Sequence, residues 1–211
     1  MEKINKEVLA NALSYTAYRE LTDRLVAENK TTGPNQSEAM LHYTKMNGVR
    51  MKRLDKTTKL TEDSLNLLSQ IDQPQTWLVL TEAWCGDAAQ VLPVMNKFAE
   101  ANTNIDLKLI MRDEHLDIMD AYLTNGARSI PKLLVIDQQS EGVVATWGPR
   151  PAEVQKMVMD AKVESKKIAN DEERKAFNDE VKVDVQRWYT KDKTIKIQQE
   201  LLDAVLSKQF A

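Results

Sequence analysis

The chain holds one cysteine, Cys85, in 211 residues, so no internal disulfide can form and a stapled secreted scaffold is excluded. Glycine and proline are scarce at six each, which argues against a disordered or collagen-like chain and for a helix-rich globular one. A dominant charge is missing too. With 29 basic and 32 acidic side chains, the net charge of −3 creates no field that would gather nucleic acid or acidic lipid, so neither partner is implied. No stretch approaches the ~18 apolar residues of a spanning helix, and charges and amides interrupt MEKINKEVLANALSY before a signal-peptide core could form. A cytosolic chain without a membrane partner is the expectation. Only two histidines occur, His42 and His115, too isolated in sequence to define a metal or catalytic site. Gly-rich phosphate loops, zinc-spaced sets and internal repeats are also lacking, and no metal is expected.

The opening residues read as helices. Leu9, Leu13, Ala17, Leu21 and Leu25 recur four apart, which predicts one amphipathic helix over residues 4–27, broken by NKTTGPN (Asn29 to Asn35). A basic helix is expected from Gln36 to Lys56, and Thr61 followed by two acids reads as the N-cap of a short one. After an Asp-Gln-Pro turn, TWLVLTE (Thr76 to Glu82) is β-prone, and a helix is expected from Gly86 to Glu100 with Pro93 inside it. IDLKLIM (Ile105 to Met111) is a second strand, followed by a helix from Glu114 to Thr124 that Asn125-Gly126 would end. PKLLVID and GVVATW, joined by Gln138 to Glu141, read as a β-hairpin, and a last core helix begins at Ala152. Beyond Ala161 interleaved charges lead to an amphipathic closing helix, IQQELLDAVL, with Leu201, Leu202, Val205 and Leu206 on one face. Strand, helix, strand, helix, strand, strand, helix predicts an α/β protein, with helices on both faces of a mixed central sheet. Three regions follow: a helical extension over residues 1–75, a core over 76–160 and a second helical extension over 161–211.

Trp84-Cys85-Gly86 directly after a strand, Pro93 eight positions past the cysteine, Ile130-Pro131 46 positions past it, and Gly148 after the hairpin resemble the landmarks of the thioredoxin superfamily. The resemblance spans about Thr76 to Asp160, and the chain looks like helix-extended bacterial members of that group. It implies a thioredoxin fold with a cis bond before Pro131, and a groove of Trp84, Ile130, Pro131 and Gly148 for an extended peptide or a thiol cofactor. Two departures stand out. Ala88 replaces the second cysteine of the family's Cys-x-x-Cys, and Val79 replaces its buried acid six positions before the first cysteine. An intramolecular dithiol cycle is therefore impossible.

A thiol at a helix N-terminus meets free N–H groups and the positive end of the dipole, which can lower its pKa from about 8.5 to between ~3.5 and 7.5. Asp87 opposes this: at ~6 Å and effective dielectrics of ~20 to 80, its charge costs a thiolate roughly 0.7 to 2.8 kcal/mol. The expectation is an accessible Cys85 with a modestly lowered pKa. Asp87 is a first-turn acid with a possible relay role, and Arg128 and Arg150 flank the expected groove as candidates to hold a carboxylate of glutathione or another small thiol. Three functions compete. The first is monothiol exchange, in which Cys85 attacks a protein disulfide or small-thiol substrate and an external thiol resolves the product. The second is a redox-inert binding or chaperone-like module. The third is an iron–sulfur site of two Cys85 thiolates and two external thiols, as a resemblance to monothiol glutaredoxins would allow.

Overall fold

The computed structural model describes residues 3–207. Four strands form the central sheet: β1 (Gln75–Thr81), β2 (Ile105–Met111), β3 (Lys132–Asp137) and β4 (Val143–Trp147), in the order β2-β1-β3-β4. β1 and β2 run parallel, from Gln75 opposite Ile105 to Thr81 opposite Met111, and helix α5 (Ala88–Ala101) makes the crossover between them, numbered after four helices that precede the sheet. β3 is antiparallel to β1, and β4 returns antiparallel to β3 with an irregularity between Val135 and Ile136. Every residue of β1 is buried, so both faces of the central strand are covered by other elements. On one of them Phe98 of α5 meets Trp77 edge-on, with ring centroids 6.2 Å apart. This arrangement is a thioredoxin fold carrying helical extensions.

The N-terminal region departs from the single helix expected over residues 4–27. It forms α1 (Lys6–Asn11) and α2 (Tyr15–Ala27), and the chain is extended at Ala12. The cause is tertiary. Leu13 N–H donates to Leu109 O at 2.9 Å and Leu109 N–H to Leu13 O at 2.8 Å, a two-way bridge that covers part of the outer edge of β2. Ser14 Oγ then restarts the helix by accepting from Ala17 N–H at 3.1 Å. Helix α3 (Glu38–Thr57) and α4 (Glu62–Leu68) follow, and Thr61 Oγ1 caps α4 by accepting from Ser64 N–H.

Three further boundaries shift. α5 begins at Ala88 rather than Gly86, which leaves Trp84 to Asp87 in the turn before it. The helix expected from Glu114 to Thr124 is a 3₁₀ turn (Arg112–Glu114) and a six-residue α6 (Leu116–Ala121). Asn125 and Gly126, both with positive φ, form the tip of a tight turn closed by reciprocal 3.0 Å bonds between Thr124 and Ala127, rather than a helix end. Helix α7 (Ala152–Ser165) runs across residue 160. The charged α8 (Asp171–Asp192) buries only Val185 and Tyr189, whereas α9 (Ile195–Leu206) buries Ile197, Leu201, Leu202, Val205 and Leu206 and packs on β4. None of the described helices is long and apolar enough to cross a membrane.

Candidate functional site

The turn between β1 and α5 is gripped from outside the sheet. Ala83 N–H donates to Thr32 Oγ1 at 2.8 Å, and Ala83 O accepts from Asn47 Nδ2 of α3 at 2.9 Å. Asn47 is in turn held by Arg50 at 2.9 Å. Glu82, fully buried, accepts from Asp113 N–H at 2.9 Å and ties the turn to the end of β2. The N-terminal extension thus sets the position of the cysteine.

Cys85 is 7% exposed, contrary to the accessible thiol expected. Its S–H donates to Ile130 O at 3.3 Å, and its sulfur accepts from Ala88 N–H at 3.5 Å. The thiol is pushed up to about 12, first by burial and second by the Asp87 charge; the Ala88 and Asp87 amides and Arg150 pull it down by less. This reverses the lowered value expected from the helix N-terminus. The cysteine lies two residues before the Asp87 cap, and its amide contacts, the Ala88 one at 3.5 Å, are too weak to offset desolvation. Ala88, 1% exposed, fills the place of a second sulfur with a methyl group, and Val79 is likewise buried.

Asp87 is enclosed rather than poised as a relay. Its Oδ2 pairs with Arg150 Nε at 2.7 Å and its Oδ1 accepts from Tyr189 O–H at 3.0 Å. Burial raises its carboxyl, with the Arg150 charge and Tyr189 opposing. Arg150, expected to await a ligand carboxylate, therefore holds an internal one. Arg128 is exposed and turned to Asp120, with its Nε and NH2 at 2.6 and 2.7 Å from the two carboxylate oxygens. Trp84 is half-buried under the Arg112 guanidinium, 5.0 Å from the ring centroid.

The structure does bring Cys85, Ile130 and Pro131 together. The Ile130–Pro131 peptide is cis, as is Gly148–Pro149. Gly148 has φ +115°, and a Cβ there would lie 2.2 Å from Pro131 O, so only glycine lets the two loops meet.

Sequence reasoning missed the cover. Gln186 and Tyr189 of α8 bond to Gln90 (2.7 Å) and Asp87, closing over the start of α5. Gly86 lies beneath it at ordinary contact distance, since a Cβ there would stand 3.5 Å from Gln186 Nε2 and 3.6 Å from Arg50 NH1. The available signal was Trp188-Tyr189, an aromatic pair near the end of a charge-rich helix.

Sheet order, crossover helix and the Cys85–Pro131 juxtaposition define a thioredoxin-like protein. The chain belongs to the thioredoxin family Thioredoxin_9, which it matches over residues 33–167. No curated protein sequence matches it. Among solved structures it is similar to a protein of unknown function from Pseudomonas aeruginosa, at 20% identity and TM-score 0.46, over 81% of this chain and 96% of that one. It is also similar to an HIV epitope scaffold, at 19% identity and TM-score 0.46, over 68% of this chain and 81% of the scaffold.

Proposed function

We propose that the protein is a redox-quiescent thioredoxin-fold binding module at rest, with Cys85 acting as a packed, protonated thiol. The observation that carries this reading is the buried S–H donating to Ile130 O. The exposed parts of Trp84 and Gly148 leave a surface beside that closed thiol for an extended peptide.

A second reading, monothiol exchange, is favoured by one observation: Ala88 N–H aims at Sγ and would stabilise a thiolate once solvent reached it. In that reaction the Cys85 thiolate attacks a disulfide, forming Cys85–S–S–R and releasing RS⁻. An external thiolate then displaces Cys85, since Ala88 cannot. The reaction requires an opening of the buried thiol, and Gln186 and Tyr189, which bond to Gln90 and Asp87 next to it, are the side chains whose release would loosen that turn. An iron–sulfur cluster bridged by two chains is the reading least supported, because Cys85 is only 7% exposed and its sulfur is engaged by Ile130 O and Ala88 N–H.

The test is incubation with glutathione disulfide, read by mass, for the parent and a Gln186→Ala/Tyr189→Phe variant. Absence of adduct from both supports the binding module. Adduct formed by the parent at the rate of an ordinary cysteine overturns it, and adduct formed only by the variant supports gated exchange.

A further inference from the structure

Lys132 follows the cis proline at the start of β3 and is only 8% exposed. Its Nζ donates to Thr124 Oγ1 at 3.3 Å, and no described carboxylate pairs with it. A buried ammonium with one neutral partner and unused N–H donors is costly, because water is removed without an opposing charge to replace it. The same desolvation lowers its pKa.

Beside it lies an open cleft of about 440 Å³, lined by Lys132, Thr124, Leu123, Trp147, Arg150 and Glu200 among others. The size suits a small organic molecule, and Leu123 and Trp147 offer apolar surface to a carbon skeleton. Arg150 adds positive charge but is committed to Asp87 and to Gln155 Oε1 at 3.0 Å, which leaves Lys132 as the uncompensated cation. On the rim, Glu200 Oε2 accepts from Ala152 N–H at 2.7 Å, so a carboxylate already sits at the first turn of α7.

We propose that this cleft is a binding site for a small organic anion bearing a carboxylate or phosphate group, with Lys132 as its charge partner and Glu200 as an internal competitor. The site goes beyond the Cys85 reading and stands without it. Binding restores a counter-charge to Lys132, while the Glu200 carboxylate repels the incoming group or must swing away from Ala152.

The experiment is calorimetric or NMR titration of the full chain with succinate and, separately, inorganic phosphate, with potassium chloride matching the ionic strength. Saturable binding of at least one probe is expected, and the stronger of the two identifies the anionic group. Lys132→Gln is expected to weaken it by about tenfold or more, and Lys132→Arg, which keeps the charge, to retain most of it. Glu200→Gln removes a like charge yet keeps an acceptor for Ala152, and is expected to tighten binding several-fold; it tests the site even if Lys132→Gln fails to fold. Lack of saturation with both probes, undiminished binding by a folded Lys132→Gln, or unchanged or weaker binding by Glu200→Gln would each overturn the proposal.

Discussion

The reactivity of Cys85 can be worked out from its surroundings. Raising the thiol from its ordinary 9.0 to about 12 lowers the thiolate population at neutral pH about 1000-fold. The more basic thiolate is intrinsically more nucleophilic, by about 15- to 30-fold for a Brønsted coefficient of ~0.4–0.5. Exchange with 4,4′-dithiodipyridine is therefore expected about 30- to 60-fold slower than for the same cysteine in the urea-unfolded chain, before any steric shielding by α8. Asp87→Asn is the informative perturbation, since the Asp87 charge raises the thiol pKa and Arg150 opposes it. Removing a repulsion of roughly 0.7 to 2.8 kcal/mol, about half of it compensated by lower nucleophilicity, predicts a reaction about 2- to 15-fold faster. The variant also strands Arg150, which can cost a few kcal/mol of stability, so rates are compared well below its melting temperature. Stopped-flow release of thiopyridone measures both. Parent protein reacting as fast as the unfolded chain, or a folded Asp87→Asn reacting more slowly than the parent, would refute the reasoning.

Alkaline pH should expose the same burial as a loss of stability. The unfolded chain releases the Cys85 proton near 9 while the folded chain keeps it until about 12, so the contribution is complete below pH 9 and is lost as pH rises across that window, by up to about 4 kcal/mol. Urea titrations of the parent and Cys85→Ser at pH 8 and near pH 10.5 should therefore differ in slope, the parent losing more, while a common slope would contradict it. Gly148→Ala places a methyl carbon against Pro131 O in a left-handed backbone, and should destabilise by about 3 kcal/mol or more in the same assay. Ala88→Cys puts a second thiol where the methyl group packs against the Cys85 turn. It should form a disulfide with Cys85 under mild oxidant if their Cα atoms reach about 4.4 to 6.8 Å, and gain slow insulin reduction that the parent and an Ala88→Cys/Cys85→Ser control lack.

What the sequence by itself determined lies where short-range chemistry is decisive. TWLVLTE and IDLKLIM read as strands because β-branched and apolar residues at that density suit a half-buried or fully buried sheet, and IDLKLIM matches β2 residue for residue. Trp84-Cys85-Gly86, Pro131 and Gly148 marked the fold through their resemblance to the landmarks of the thioredoxin superfamily, and the structure gives two of them a backbone requirement, the cis bond before Pro131 and the positive φ of Gly148. The apolar face of α9 was legible from its period alone. Tertiary structure decided the rest. Leu13 left its helix because the edge of β2 offered two hydrogen bonds from a strand nearly a hundred residues away. Asp87 and Arg150 satisfied one another instead of a ligand, and Tyr189, 102 residues beyond Asp87, closed over them. The direction of the Cys85 pKa turned on its burial, with the Asp87 charge second. A helix N-terminus acts over one turn and is written locally, whereas desolvation depends on which distant side chains exclude water, and that is set only when the chain is folded.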